Sequence, residues 1–563
     1  MFRTNTAHQQ TSLLGVNQLL PKSRRKKLEN SREALFYELI FKNIPEEIFA
    51  VLYSDEGSRP NSPVNRHVGA EILRESKGWT YEELFDHVDF DLKTRYALGM
   101  EDIGEKAFCS ATHFYFLERL VKHERETGEN LMEAVFDRLT QHQLEQLQLK
   151  TGIQRMDSFQ AMSNIRHYTR LRLVIEVLQR FWRVLSEKER KPWADRVAEY
   201  VEAESGRILY RMSSEDYEKA LQELGLIYRD LHEAFEESYA EAEVFKIFER
   251  VYYEQFAIVR DQVKVRDEED IDSGSLQSPD DPDATYRHKQ GNDYTGQAVH
   301  VMETCDPEND LQLVDDVFVE ANNIDDSEAL NERLKEQSEK YDGVEELHVD
   351  GGYPSGDNDT LLKTMKIDMV QTGIRGRPPG VRMIMTCLGE ETYEVSCPRQ
   401  TVISTPTRSR HKAVFDSLIC EECSLKSVCP TQCQKQGAAY YFSEADVLRN
   451  ERLRRLEALP KKRQTLRPNV EATVKEFYKP FNHKGKLRVR GRFKTELFAV
   501  CGAIGINLGR IHRYLAQKGT GEGILTTLKQ EMNRIPTISR VLAGLFSIFT
   551  KNLSKNPKWS YSG

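Results

Sequence analysis

The chain has 563 residues, of which 39% are hydrophobic and 30% charged, with a formal net charge of −9. That length exceeds one ordinary domain and implies roughly three or four units, and the composition fits a globular protein rather than a disordered one. No run of about 18 apolar residues occurs, so no transmembrane helix is expected, and Met1-Phe2-Arg3-Thr4-Asn5-Thr6 lacks the basic-then-apolar plan of an export signal.

An acidic sum argues against a nucleic-acid binder, but the charge is segregated. Asp267 to Asp283 holds eight acidic residues and no basic one, whereas Glu451 to Lys494 holds fifteen Lys and Arg against four Glu. Such asymmetry says more than the total. The bland alternative for the basic stretch is a solvated helix face.

Residues 1–140 read as a helical N-terminal domain for DNA binding or dimerisation. Phe36, Leu39, Ile40 and Ile44 fall at helical spacing until Pro45 interrupts them. A turn at Arg59-Pro60-Asn61-Ser62-Pro63 leads into a helix through Val68, Ile72 and Leu73. Thr80 and Glu83 have the spacing of a capping box for the next helix. From Ile153 to Phe159 a short strand with weak alternation carries Asp157. Two helical stripes follow, Leu171-Ile175-Leu178-Phe181-Leu185 and Tyr217-Leu221-Leu224-Tyr228-Leu231, and Phe245 to Phe256 continues in kind. They define a helical insertion over 166–266 whose apolar faces bury against each other.

Residues 267–283, with Ser, Gly and Pro among the acids, read as a linker. Strands are expected at Gln297–Glu303 and Leu313–Glu320, a helix from Ser327 to about Tyr341, and strands at Glu346–Val349 and Val381–Met385. Strands alternating with helices imply an α/β sheet, assembled from 145–165 and 284–400. Asp350 follows a short apolar strand and precedes two glycines, so it lies at a carboxyl strand end, where open sheets bind ligands.

A Cys-rich insertion covers 401–450. Cys420-x2-Cys423-x5-Cys429-x3-Cys433 reads either as a structural Cys₄ zinc site or as reduced thiols packed as small hydrophobes. Cys109, Cys305, Cys387, Cys397 and Cys501 read as core fillers. Residues 451–518 combine an acid-bearing helix with a basic segment, and 519–563 form a C-terminal tail. Pro468 suits a first helical turn and Pro480 a stop. Arg467, Glu471, Lys475 and Lys479, spaced by four, share one face. In Lys484, Lys486, Arg488, Arg490, Arg492 and Lys494 cations alternate with other residues. If extended, they line one side and suit phosphates, with an affinity falling at a log–log salt slope of about −0.9 per phosphate. Phe498 to Tyr514 reads as a core helix.

Three separated acids, Asp157, Asp350 and Glu471, are what a pair of hard divalent ions needs: clustered carboxylates repel, and two Mg²⁺ or Mn²⁺ about 4 Å apart relieve them.

Together these motifs resemble the DDE transposases of bacterial insertion sequences. In the N-terminal part the likeness rests on Arg59-Pro60-x-x-Pro63, Gly78-Trp79-Thr80-Tyr81-Glu82-Glu83-Leu84 and Phe108-Cys109-Ser110-Ala111-Thr112-His113-Phe114. It continues through Met156-Asp157-Ser158 with Ser163-Asn164-Ile165, then Asp280-Asp281-Pro282-Asp283-Ala284 and Tyr294-Thr295-Gly296-Gln297-Ala298-Val299-His300. Asp350-Gly351-Gly352-Tyr353 and Arg467-x-x-x-Glu471, with Arg488-Val489-Arg490-Gly491-Arg492 and Asn507-Leu508, complete it. The resemblance implies a ribonuclease H-like mixed-sheet α/β core with a large helical insertion, beside an all-α N-terminal domain. It implies two Mg²⁺ (or Mn²⁺) ions held by Asp157, Asp350 and Glu471, with Arg467 and Lys479 as phosphate contacts. The implied activity is cleavage at element ends followed by 3′-hydroxyl strand transfer into target DNA. The implied partners are double-stranded DNA and further copies of the chain, with no membrane and no small-molecule substrate, in the bacterial cytoplasm at the nucleoid. Two departures stand out. Gln464 replaces a Tyr that some relatives carry, and 193 residues separate Asp157 from Asp350, with the helical insertion, expected to touch DNA or a second subunit, between them. The rival readings are a DNA-binding descendant without catalysis and a stand-alone metal-dependent nuclease.

Overall fold

The computed structural model describes residues 1–10, 15–54, 60–210, 212–260, 262–289, 291–372, 380–389, 392–434, 437–482, 485–519 and 523–533. Arg59, Lys484 and most of the tail expected over 519–563 lie outside them. The chain forms two compact units. One comprises 1–151, 303–316 and 500 onward; the other comprises 152–302 and 317–499.

The first unit is helical. Its helices are Arg32–Leu39, Val64–Lys77, Tyr81–Phe90, Leu92–Ala97, Ser110–Thr127 and Leu131–Gln146. Their starts follow the sequence: Ser31 accepts from the Ala34 amide, Thr80 and Glu83 form the expected capping box, and Asn130 accepts from Met132 and Glu133. Gly78 closes Val64–Lys77 in the left-handed conformation, φ 69°, which a side chain would disfavour. Phe36, Leu39, Ile40 and Ile44 are buried as expected. Within the same unit the Asn507 side-chain amide bonds both the N–H and the carbonyl of Val314 at 2.8 Å. The run from Phe498 to Tyr514 is core: Cys501, Ile504, Leu508 and Ile511 are all buried.

Helix Val64–Lys77 is buried on most of its circumference and takes charge inside with it. Glu71 accepts from Arg74 Nε and the Tyr81 hydroxyl, each at 2.8 Å, and lies 3.0 Å from His113 Nε2. Arg74 also pairs with Glu75 and sits 4.1 Å over the Tyr81 ring. Burial pushes Glu71 up, but Arg74 and His113 outweigh it and hold the carboxyl at about 2. Breaking such a network strands a buried charge. Glu71→Gln is expected to cost about 3–5 kcal/mol, read as a lower midpoint of chemical unfolding. With the folded value below the ordinary 4.5, this stability is fully present above about pH 4.5 and is lost as pH falls towards 2. An unchanged midpoint at pH 7 contradicts the assignment.

The second unit is a mixed α/β fold. Strand β1 (Ile153–Met162) opens it, and a helical insertion follows. Its main helices are Arg170–Val184, Ala194–Val201, Ser214–Tyr239 and Glu243–Gln255, ending in the hairpin β2 (Phe256–Val259) and β3 (Gln262–Val265). Both predicted stripes pack inward around Phe181, Tyr228 and Phe248, with Tyr228 stacked on Phe248 at 4.2 Å. Then come β4 (Thr285–Lys289), β5 (Asn292–Thr304), β6 (Val314–Ala321), helix Asp326–Glu336, β7 (Glu346–Val349) and β8 (Asp368–Gln371). The sheet order is β4-β5-β1-β7-β8, with β6 also paired to β5. β1 is therefore interior to the sheet, and most of its residues are buried. That explains its weak alternation, since a strand covered on both faces loses the period of two. Gly296 on β5 lets the backbones close: a Cβ there would stand 2.2 Å from the Ala161 carbonyl oxygen.

Three expectations need correction. Residues 267–283 are not a loose linker, because their acids and carbonyls bind arginines from the surrounding elements. Asp280 pairs with Arg180 at 2.8 Å, Arg250 donates to the carbonyls of Gly274 and Pro282, and Asp281 pairs with the Ser163 hydroxyl. The strand expected at Val381–Met385 begins only at Ile384 and lies outside the main sheet. β9 (Ile384–Gly389), β10 (Thr392–Ser396) and β11 (Thr401–Ile403) form their own antiparallel sheet. A second one holds β12 (Thr405–Pro406), β13 (His411–Phe415), β14 (Gln432–Gln434) and β15 (Gly437–Phe442). Both sheets contribute to one small core of Val381, Met385, Val395, Phe415 and Phe442. Lastly, among the five expected core cysteines, Cys305 and Cys501 are buried, but Cys109 and Cys387 are exposed and Cys397 is half-buried.

Candidate active site

Strands β1 and β7 run parallel, with Arg155 beside His348. Two residues further on, where side chains return to the same face, the register brings Asp157 level with Asp350. Asp157 thus stands midway along β1, while Asp350 follows the last residue of β7. Glu471 reaches the same place from another direction. A 3₁₀ turn, Arg467–Asn469, with Pro468 inside it, leads into helix Val470–Phe477, and Glu471 lies in that helix's first turn. Phe477 packs on Phe159 of β1 at 5.5 Å between ring centres, fixing the helix to the strand that carries Asp157. Arg155 donates to the Leu466 carbonyl at 2.9 Å and holds the preceding turn.

The guanidinium of Arg467 joins all three acids. It lies 2.7 Å from Asp157 Oδ2, 3.5 Å from Glu471 Oε1 and 3.9 Å from Asp350 Oδ2. Exposure is graded: the Asp157 side chain is 13% exposed, Asp350 29% and Glu471 56%. Burial pushes the Asp157 carboxyl above its ordinary range, Arg467 pulls it back, and the neighbouring Asp350 adds a smaller upward push. Oxygen donors of this kind suit hard divalent ions such as Mg²⁺ or Mn²⁺, and an acid that is costly to ionise in place is one a cation relieves. Among the described residues only His232, Glu236 and Glu249 bring three ligand atoms within 4.8 Å of one another. In that group the carboxylates face the two ring nitrogens at 2.8 and 3.8 Å. The triad stands wider than that, with the guanidinium between its carboxylates.

A fourth acid carries no mark in the sequence. Asp326, the first residue of its helix, is buried and accepts from the Ser158 hydroxyl at 2.8 Å. A Cβ on Gly352 would stand 2.9 Å from Asp326 Oδ2 and 3.1 Å from Asp350 Oδ1. Gly352 is therefore small because two carboxylates close on it, and its amide donates to Asp350 Oδ1 at 2.8 Å. Asp325-Asp326-Ser327 reads in sequence as a helix start and nothing more.

The predicted phosphate contacts divide. Lys475, Lys479, Arg488 and Lys494 are exposed. Arg490 and Arg492 are exposed too but are tied to the chain's own oxygens, and Lys486 turns partly inward. Lys486 donates to the Ile165 carbonyl at 2.7 Å and Arg490 to that of Asn164 at 2.8 Å. Arg492 bonds Glu496 at 2.8 Å and the Val319 carbonyl at 3.2 Å. The segment is short of an extended stripe because Lys486 bridges to Met162 and a helix starts at Arg492. Gln464 donates to the Leu459 carbonyl at 2.7 Å and so shapes the turn before Arg467. Of the four expected zinc ligands, Cys420, Cys423 and Cys429 line one cavity, together with Cys397. Cys433 does not: it is exposed on β14, a strand at the margin of its sheet.

No family model, curated protein or solved structure matches this chain. Among the described residues no helix is long and apolar enough to cross a membrane.

The raised Asp157 carboxyl carries a sign. A folded value above the unfolded one means ionisation costs stability, so the protein loses stability as pH rises through the folded value. Asp157→Asn removes the charge and keeps one acceptor oxygen beside Arg467 and the Ser158 amide. It is expected to raise the melting temperature at pH 7 in chelator by about 2–4 °C, the scale of ~1 kcal/mol in a large domain. An equal or lower melting temperature contradicts this reading of the site.

Proposed function

We propose that this chain is a DDE-type transposase that cleaves DNA at element ends and transfers the freed 3′-hydroxyl to target DNA, on a ribonuclease H-like core. The observation that carries the reading is the convergence of Asp157, Asp350 and Glu471, from three distant stretches, on one guanidinium. The strand order, with β1 and β7 parallel at its centre and a third acid on a helix packed against β1, is what such a core requires. Asp157, Asp350 and Glu471 are the groups that would hold two Mg²⁺ ions. Bound there, the ions supply activation of the attacking oxygen and neutralise charge on the leaving one.

The chain's own residues do the rest. Arg467 neutralises the acid cluster in the absence of other cations, and its planar fork suits a phosphate oxygen once the acids are otherwise paired. Asp350 is aimed by the Gly352 amide, and Asp157 is fixed by the Ser158 amide and by its place on an interior strand. Lys475 and Lys479, exposed beyond Glu471 on the same helix face and the turn after it, position the backbone without reading sequence. The further copy of the chain that synapsis of two ends demands belongs to this proposal.

The test is Mg²⁺-dependent cleavage and joining on DNA carrying the element's ends. Asp350→Ala and Glu471→Ala are each expected to lower the rate by on the order of 10³-fold, equivalent to about 4 kcal/mol in the barrier. Binding of the DNA is expected to survive both changes. Undiminished cleavage by either variant contradicts the triad. Binding without any cleavage by the unaltered chain favours a DNA-binding descendant, and cutting without joining favours a nuclease.

A further inference from the structure

The second unit's two small antiparallel sheets share a core of about a dozen side chains, too little apolar burial to fix so many turns by itself. Beside that core lies a cavity of about 30 Å³, large enough for a single ion. Its walls include four cysteines, Cys397, Cys420, Cys423 and Cys429. Val381, Met383, Phe415 and Ile419 close the apolar side.

Each cysteine arrives on a tight turn. Cys397 follows β10, and its amide closes a turn by donating to the Gln400 carbonyl at 2.9 Å. Cys420 and Cys423 bracket the end of the short helix Ser417–Glu421, and Cys429 follows the 3₁₀ turn Lys426–Val428. Gln400 ties two of them together. Its backbone amide donates to Cys397 Sγ and its side-chain amide to Cys420 Sγ, each at 3.3 Å. N–H donors aimed at sulfur favour the thiolate and orient it, as outer partners do around a bound metal. No three of the sulfurs stand within 4.8 Å of one another, whereas tetrahedral Zn–S bonds of about 2.3 Å set them about 3.8 Å apart. Holding the ion therefore requires these side chains to rotate inward on their turns.

We propose that Cys397, Cys420, Cys423 and Cys429 form a tetrathiolate site for one structural Zn²⁺, with Cys433 outside it. Thiolate donors with no oxygen or nitrogen among them select a soft or borderline ion over Mg²⁺. The ion joins the turn after β10 to the segment between β13 and β14, so it staples one small sheet to the other. The site is closed and independent of phosphodiester chemistry, so it stands or falls apart from the function proposed above.

The experiment uses the full chain purified from zinc-supplemented cells without chelator. About one zinc per chain is expected by mass-spectrometric metal analysis. Alkylation of the native protein should modify Cys433, Cys387 and Cys109 and spare Cys397, Cys420, Cys423 and Cys429 until the metal is stripped. Replacing the ion with Co²⁺ should give the intense thiolate-to-cobalt bands of a tetrahedral site. Cys433→Ser should keep the full metal content, and Cys397→Ser should weaken Zn²⁺ binding at least about 100-fold. Two results overturn the proposal. One is loss of zinc in Cys433→Ser with retention in Cys397→Ser. The other is a zinc-free chain whose four thiols label as fast as Cys433, a result on the unaltered protein that needs no variant to fold.

Discussion

Three carboxylates from distant stretches of the second unit gather in one place, and like charges so gathered repel unless a cation lies among them. In this chain that role falls to the guanidinium of Arg467, within 4 Å of all three. Around it the surrounding elements take their places. β1 and β7 must be parallel neighbours in one register, the turn before Arg467 must be held by Arg155, and the helix bearing Glu471 must pack on Phe159. Asp157 bears the cost, since its burial disfavours the charge that the site uses. On the function proposed above, the guanidinium would be a partial substitute for the metal ions, one that a phosphate could draw away.

The charge segregation that is plain in the sequence has a structural outcome that charge counting alone misses. The acidic stretch 267–283 and the basic segment near Arg490 belong to the same unit and meet. Arg490 lies 3.8 Å from Asp280, and the Arg492 amide donates to Asp283 at 3.1 Å. What reads as a flexible acidic linker and a cationic bed is therefore joined by an internal contact that matches some of the charge on each side. Among the described cations from Lys475 to Lys494, Arg490 and Arg492 are exposed like Lys475, Lys479, Arg488 and Lys494, yet both are bonded to the chain's own oxygens. Composition reports how many charges a segment holds; only the fold reports where they face.

Legibility follows the range of the interactions involved. Caps and amphipathic stripes are readable because their partners lie within four residues: Thr80 with Glu83, and Leu171 through Leu185 along one helix. The acids at 157, 350 and 471 are readable from strand, glycine and proline signals beside each. β1 is faint because an interior strand is covered on both faces, and this one buries Gln154, Arg155 and Gln160 among its apolar residues. Asp326 is invisible because its neighbours, Ser158 and Gly352, are remote in sequence. Cys397 reads as a core filler for the same reason, lying 23 residues before Cys420, whose cavity it shares, while Cys433 fits the spacing but lies outside that cavity. Spacing along the chain groups cysteines on neighbouring turns and misses one that a second sheet delivers.

The most direct measurement of the central claim is an anomalous-scattering experiment on crystals of the protein soaked in Mn²⁺. The account predicts density between the carboxylates of Asp157, Asp350 and Glu471, with the Arg467 guanidinium displaced from its place among them. Manganese bound elsewhere, such as at His232, Glu236 and Glu249, with Arg467 still bridging the three acids, would contradict it.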